Sequence, residues 1–294
     1  MKVKYNPTKN IFIPANSDTL LPQIMWHITD KCFLNCKLCF VKKRITKAIE
    51  MDNNIILSNL HYLKDLQVQK IDISGGEPLL FNNLEFLVRQ AITEGFFLTI
   101  TTRGFGRKDN IEWLSKNWNM FSRVILSLDS YDHITNDKYV GYNGAFEKFK
   151  LFLEKLKINL CNNIRINTVV NRMLLQDDCL AKLCDLIKKI SPLEWCIIQP
   201  HPLNKSDSYD EYAVSEKEYN LFINKIKSNL IEQKNIDILF RPNSIYSTYW
   251  CLYPDNSIAR LSSDFDYSFL CKLNSKNMTR IKEVIKSDIQ LLPK

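Results

Sequence analysis

No apolar run in this chain reaches the roughly eighteen residues that a membrane-spanning helix needs. The opening stretch MKVKYNPTKNIFIPANSD has neither an apolar h-region nor a small-residue cleavage site, so no secretory signal is expected. Internal repeats and low-complexity tracts are absent, which excludes solenoids and disordered arrays. The formal charge is +8, yet no basic block is dense enough for a nucleic-acid site. Lysines such as Lys42, Lys43, Lys64, Lys188, Lys189, Lys225 and Lys227 mostly fall at helical spacing, as on a solvated surface. The nine cysteines are an odd number without an export signal, so a disulfide framework is not expected. A reduced, cytoplasmic setting follows, and there clustered thiols more often bind metal.

What is present is a chain of 294 residues, 45% hydrophobic and 24% charged, long enough for one large core. Strand, loop and helix alternate along it. Apolar, β-rich runs at 23–29, 70–74, 96–102, 123–129, 164–170 and 194–200 read as six strands. Helical spacing covers 55–67, 83–94, 109–117, 144–157 and 177–190. Six βα units in series imply a parallel sheet with right-handed crossovers, its near-continuous apolar strands covered on both faces. The expected fold is α/β: a partial (β/α)6 barrel of TIM type with a small C-terminal extension. Residues 1–22 read as an N-terminal lead, 23–203 as the core, and 204–294 as an extension that closes part of the barrel. That extension holds a helix at about 215–230 and β-like stretches at 236–241 and 246–261. In such folds chemistry gathers at the C-terminal ends of the strands.

The unusual loops sit at those ends. After the first strand comes DKCFLNCKLCF, with Cys32, Cys36 and Cys39. A closed zinc site wants four ligands, and no fourth Cys or His follows at a matching spacing. A four-iron cubane takes one thiolate per iron. Three thiolates leave one iron open for a substrate or cofactor. After the second strand comes Gly75-Gly76-Glu77-Pro78, after the third Thr101-Thr102-Arg103-Gly104, after the fourth Ser127-Leu128-Asp129-Ser130.

The C-x3-C-x2-C spacing followed by GGEP closely resembles the radical S-adenosylmethionine (radical SAM) superfamily over about residues 22–200. Many members carry an aromatic residue just before the third cysteine; here it is Leu38, with Phe33 and Phe40 flanking the loop. The resemblance implies that Cys32, Cys36 and Cys39 hold one [4Fe–4S] cluster whose open iron binds S-adenosylmethionine. An electron donor such as flavodoxin or ferredoxin is then required. One electron yields methionine and a 5′-deoxyadenosyl radical, which abstracts hydrogen from a substrate. Gly75 and Gly76 would let backbone approach the methionine moiety, Glu77 would accept from its ammonium, and Pro78 would stiffen the turn. Thr102, Ser127, Asp129 and Asn167 join the cofactor set, and Arg103 receives no role. Cys161, Cys179, Cys184 and Cys196 are left out of the metal set, the last three as small core residues. Cys251 and Cys271, isolated from each other, are not expected to hold a second cluster.

Two substrate classes remain open. The stretch 126–156 and INTVVN at 166–171 resemble peptide-modifying maturases, and a ribosomally made peptide is the first expectation. The alternative is a viperin-like nucleoside triphosphate dehydratase making an antiviral chain terminator. MWHITDKC, RINTVVNR and EWCIIQ resemble that group. Arg165 is its candidate phosphate ligand, helped by Arg172 and Arg241, and His27 is a further candidate lumen residue. Glu194 and Cys196 stand where basic residues would be wanted. A monomer without membrane or nucleic-acid partners is expected.

Overall fold

A computed structural model describes residues 4–6, 11–13, 20–39, 41, 50–156, 163–202, 208–229, 236–243, 249–261 and 267–290. Phe40, Lys42, Lys43, Cys161 and most of the expected N-terminal lead lie outside the described residues. The strands are β1 (Lys4–Asn6), β2 (Ile11–Ile13), β3 (Gln23–His27), β4 (Lys70–Ser74), β5 (Phe97–Thr102) and β6 (Arg123–Ser127). They continue as β7 (Ile164–Val169), β8 (Glu194–Ile198), β9 (Asp237–Arg241), β10 (Tyr249–Leu252), β11 (Ser257–Leu261) and β12 (Tyr267–Lys272). The helices are α1 (Asn53–Asp65), α2 (Leu84–Thr93), α3 (Lys108–Asn117), α4 (His133–Val140) and α5 (Ala145–Lys155). After them come α6 (Asp177–Ile190), α7 (Tyr209–Tyr212), α8 (Glu216–Asn229) and α9 (Met278–Gln290).

β1 and β2 pair with each other. The other ten strands form one sheet in the order β12-β11-β10-β3-β4-β5-β6-β7-β8-β9. Every pairing from β10 to β9 is parallel, while β11 and β12 add antiparallel. The sheet is α/β and open, a partial barrel. The C-terminal segments lengthen it on both edges: β9 beside β8 and β10 beside β3.

Strand residues alternate between two faces. Ile71, Ile73, Leu98, Ile100, Val124, Leu126, Ile164, Ile166, Trp195 and Ile197 pack into the main core. The helices contribute Leu60, Leu63, Leu87, Phe149, Phe152 and Leu183 to the same core, repeating every three or four residues. The opposite, inner face departs from the expected apolar strands. It carries Lys70, Asp72, Thr99, Arg123, Arg165, Asn167, Glu194 and Cys196. Sequence runs such as KIDIS look apolar because one face is; the other is polar because it lines a lumen rather than a second helical layer.

Local chemistry sets the element ends. Asp52 caps α1 by accepting from Ile55 N at 2.8 Å, and Asp132 caps α4 by accepting from Thr135 N at 2.8 Å. Gly141, in the left-handed region at φ 65°, ends α4. No described helix is long and apolar enough to cross a membrane.

Candidate active site

The cysteine loop leaves β3 and is fixed on two sides. On one side, the β4 loop runs against it: Gly76 N donates to Thr29 O at 2.8 Å and Glu77 N to Lys31 O at 2.8 Å. A Cβ on Gly75 would collide with the Thr29 carbonyl, and one on Gly76 with that of Lys31. These glycines therefore let the two loops touch, a reason within the chain for the missing side chains. On the other side, Asn35 N donates to Val140 O at 2.8 Å and Lys37 N to Tyr139 O at 3.0 Å. The end of α4 thus holds the middle of the loop, and a Cβ on Gly141 would press on Asn35. Sequence reasoning missed α4 and Gly141, although a glycine closing a helix is a readable stop signal.

Cys32, Cys36 and Cys39 are all half-buried and free of disulfides. Burial pushes the Cys32 thiol up to about 12 and the Cys36 thiol to about 11, the Arg103 guanidinium partly opposing it at Cys36. Thiolates at these positions call for a bound cation. Among the described residues, no three His, Cys, Asp or Glu side chains converge as a single metal ion would require. A cubane asks something different, that each thiolate reach its own iron. The donor set, three thiols on one constrained loop, fits that group.

Glu77 is buried at the bottom of this loop pair. Its carboxylate accepts from Leu79 N at 3.1 Å, from Arg103 N at 3.0 Å and from the Thr102 hydroxyl. Burial raises it to about 7 against those hydrogen bonds. Pro78 opens a short 3-10 turn directly behind it. Thr102 also accepts from Gly104 N at 2.9 Å, so its hydroxyl is used within the chain. Arg103 is ion-paired with Asp129, whose side chain is only 1% exposed. The other Asp129 oxygen accepts from Val169 N at 2.6 Å. Asn171 donates to the Asp129 carbonyl at 3.0 Å. Arg103, which lies in the TTRG loop but receives no role there, and Asn171, noted only as the end of INTVVN, are the residues whose part the sequence does not reveal.

Ser127 and Asn167 are register partners at the ends of β6 and β7. Among the described residues the buried Asn167 Oδ1 has no hydrogen-bond partner, nor has the Asn171 Oδ1. Buried acceptors of this kind require a donor. His27 is buried and stacks on Tyr253 at 4.8 Å between ring centroids.

Arg165 sits elsewhere. It lies near the N-terminal end of β7, 4% exposed, and its Nε is 2.6 Å from Glu194 Oε2. Arg123 reaches the other Glu194 oxygen at 2.6 Å. Lys70 pairs with Asp72 at 2.9 Å in the same floor layer. Glu194, which spoke against a phosphate site, is thus the shared counter-charge of two arginines. At the upper end of the inner face, Arg241 hydrogen-bonds Cys196, so Cys196 lines the lumen rather than the core. Cys184 does lie in the main core. Cys251 and Cys271 occupy opposite faces of the sheet: the first is level with Ala259, the second with Ile258.

The radical SAM superfamily family model matches residues 26–190, more than half of the chain, and the chain belongs to that superfamily. It is a radical SAM enzyme, in a family that uses S-adenosylmethionine and a [4Fe–4S] cluster. It is 27% identical over 237 residues to an S-adenosylmethionine-dependent nucleotide dehydratase of Flammeovirga pacifica, covering 76% of this chain and 79% of that one. A protein of the same description from Fibrobacter sp. (strain UWH6) is 29% identical over 226 residues, 72% of this chain and 64% of its own length. The match to a third, from Lacinutrix mariniflava, covers 48% of that protein. Among solved structures, anSMEcpe with bound AdoMet superposes with TM-score 0.68 at 18% identity, over 90% of this chain and 80% of that one. Streptococcus suis SuiB bound to S-adenosylmethionine gives 0.63 at 17%, over 81% and 60%. These likenesses bear on the fold.

Proposed function

We propose that this enzyme acts on a nucleoside triphosphate, in preference to the peptide that the sequence first suggested. The observation carrying this reading is the charge of the inner face. From β4 to β9 its charged residues are four cations, Lys70, Arg123, Arg165 and Arg241, against three carboxylates, Asp72, Glu194 and the exposed Asp237; the lower three cations are answered by Asp72 and Glu194, and Arg241 stands at the upper end. An excess of positive charge in a confined lumen favours a polyanion. The names of the sequence relatives support the same class.

In this reading Cys32, Cys36 and Cys39 hold one cluster. When bound, the cluster and S-adenosylmethionine supply the radical that abstracts hydrogen. The chain's own residues position and shield. Gly75 and Gly76 lock the cysteine loop to the β4 loop. Glu77 accepts from the cofactor's ammonium in its remaining acceptor position, a cation that would bring its raised pKa down. Thr102 holds Glu77, and Asp129 holds Arg103 beside Cys36. Ser127 and Asn167 face the cofactor, with the unmet Asn167 Oδ1 as an acceptor. His27, stacked on Tyr253, and Arg241 flank the substrate end, while Arg165 neutralises the floor. We retain residues 23–203 as the core, with the later strands built onto its sheet.

The test is anaerobic incubation of reduced, reconstituted enzyme with each of the four ribonucleoside triphosphates, measuring 5′-deoxyadenosine. A true substrate positioned against the reacting carbon should raise its formation at least tenfold for one of them, with a dehydrated nucleotide formed. No stimulation by any of the four, but stimulation by a peptide encoded beside the gene, would restore the peptide reading.

A further inference from the structure

Outside the lumen, beside the cysteine loop, lies a recess of about 380 Å³. Its walls are Phe33, Phe105, Tyr142, Leu151 and Phe152, and its rim is Lys108, Lys148 and Lys155. Among the described residues no carboxylate lines it, although Lys108 also lies 3.9 Å from Glu112 beside the rim. Phe33 directly follows Cys32 and is 69% exposed, and Leu151 is 56% exposed. Lone exposed apolar residues are ordinary, but two such side chains on one lysine-rimmed concavity mark an interaction surface. Lys148 lies 4.8 Å from both the Phe105 and Tyr142 ring centroids, so one rim cation is held in place over the floor.

The recess and the cysteine loop share neighbours: Phe33 of the loop lines the recess. Phe105 is buried in an apolar cluster with Tyr139, and Leu34, Cys36 and Leu38 pack against that cluster. Phe105 thus belongs both to the recess and to the cluster on which Cys36 packs. An apolar centre, a rim of one charge and nearness to the cysteines together fit one kind of occupant.

We propose that this recess docks an acidic one-electron carrier protein, a reduced flavin or iron–sulfur carrier that gives up one electron to the cluster and leaves oxidised by one electron. Charge complementarity selects an acidic partner, and the exposed Phe33 and Leu151 supply apolar anchors. The proposal rests on the reading that Cys32, Cys36 and Cys39 hold the cluster.

The experiment uses a bacterial flavodoxin and a plant-type ferredoxin, each in turn. Binding of each oxidised carrier to the reconstituted enzyme is measured by calorimetry at low and at high salt. The same is done for a Lys108→Glu/Lys155→Glu variant and for a control, Lys217→Glu, on α8. At least one carrier should bind, more weakly at high salt. The double variant should weaken that binding at least tenfold, and the control should not. Cleavage of S-adenosylmethionine driven by the reduced carrier should fall in parallel, while cleavage driven by dithionite stays at the wild-type rate. Neither carrier binding, or equal binding by wild type and double variant, overturns the docking site. Absence of dithionite-driven cleavage in the wild type overturns the cluster reading instead.

Discussion

The two ends of the lumen are both lined with charged and polar side chains, yet they are built on opposite logic. At the N-terminal ends of the strands, charges answer one another: Lys70 with Asp72, Arg123 and Arg165 with Glu194. At the C-terminal ends, three thiols are pressed into a half-buried loop and the buried Asn167 Oδ1 has no partner among the described residues. The lower end is a floor that satisfies itself. The upper end is a place prepared for something else. Position along the strand, more than residue type, separates an arginine that holds the barrel together from one that can meet a ligand. Arg165 and Arg241 stand on the same inner face, Arg165 level with Glu194 and Asp237 and Arg241 at the far end of β9, and height separates their tasks.

Breaking the floor is the largest perturbation expected short of removing the cysteines. Glu194→Ala leaves two buried guanidinium groups without their counter-charge and should cost about 3–5 kcal/mol, measured by urea unfolding. The Arg165→Met/Glu194→Met double variant should cost less than Glu194→Ala alone. If Glu194→Ala left stability unchanged while raising the KM for a nucleotide, the floor would belong to the substrate site and the contrast between the two ends would fail.

At the upper end, Glu77→Gln keeps the shape but replaces one acceptor oxygen by a donor. Loss of one charge-assisted hydrogen bond to the cofactor should raise the KM for S-adenosylmethionine about tenfold, the equivalent of ~1.4 kcal/mol. A tenfold loss of iron with unchanged KM would instead assign Glu77 to holding the loops.

The smallest effect expected is a pH dependence near Arg241. Burial and the neighbouring Arg241 hold the His201 imidazole down at about 4, against its usual 6.5. The folded state then binds fewer protons than the unfolded state between those values. Stability contributed by neutral His201 is present above pH 6.5 and is lost as the pH falls toward 4. His201→Gln should flatten this part of the profile of urea midpoint against pH; an unaltered profile would place the titration elsewhere.

Much of this could be read in the sequence, for identifiable reasons. β4, β5 and β6 were legible because β-branched runs stop at glycine or at a polar turn, and α6 coincides with its expected span of 177–190. α4 was not, because the side chains it buries are Asn136, Tyr139 and Val140, which make no apolar stripe. β12 and α9 were missed because the pattern weakens late in the chain. Cys32, Cys36, Cys39 and GGEP were conspicuous because their spacing is local. The Arg103–Asp129 pair and the two arginines on Glu194 were invisible because each joins residues more than twenty positions apart. Arg165 was found as a residue but its height in the barrel was not, since alternation gives the face of a strand and says little about depth.

In the proposed reading Cys32, Cys36 and Cys39 hold a cluster with one iron left open. The most direct measurement is the electron paramagnetic resonance spectrum of the anaerobically reconstituted, reduced protein, with and without S-adenosylmethionine. About four irons per chain are expected, as a cubane requires. The spectrum should shift when S-adenosylmethionine is added, and both iron and signal should vanish in the Cys32→Ala/Cys36→Ala/Cys39→Ala protein. A spectrum unchanged by saturating S-adenosylmethionine, or iron retained without these three cysteines, would contradict the account.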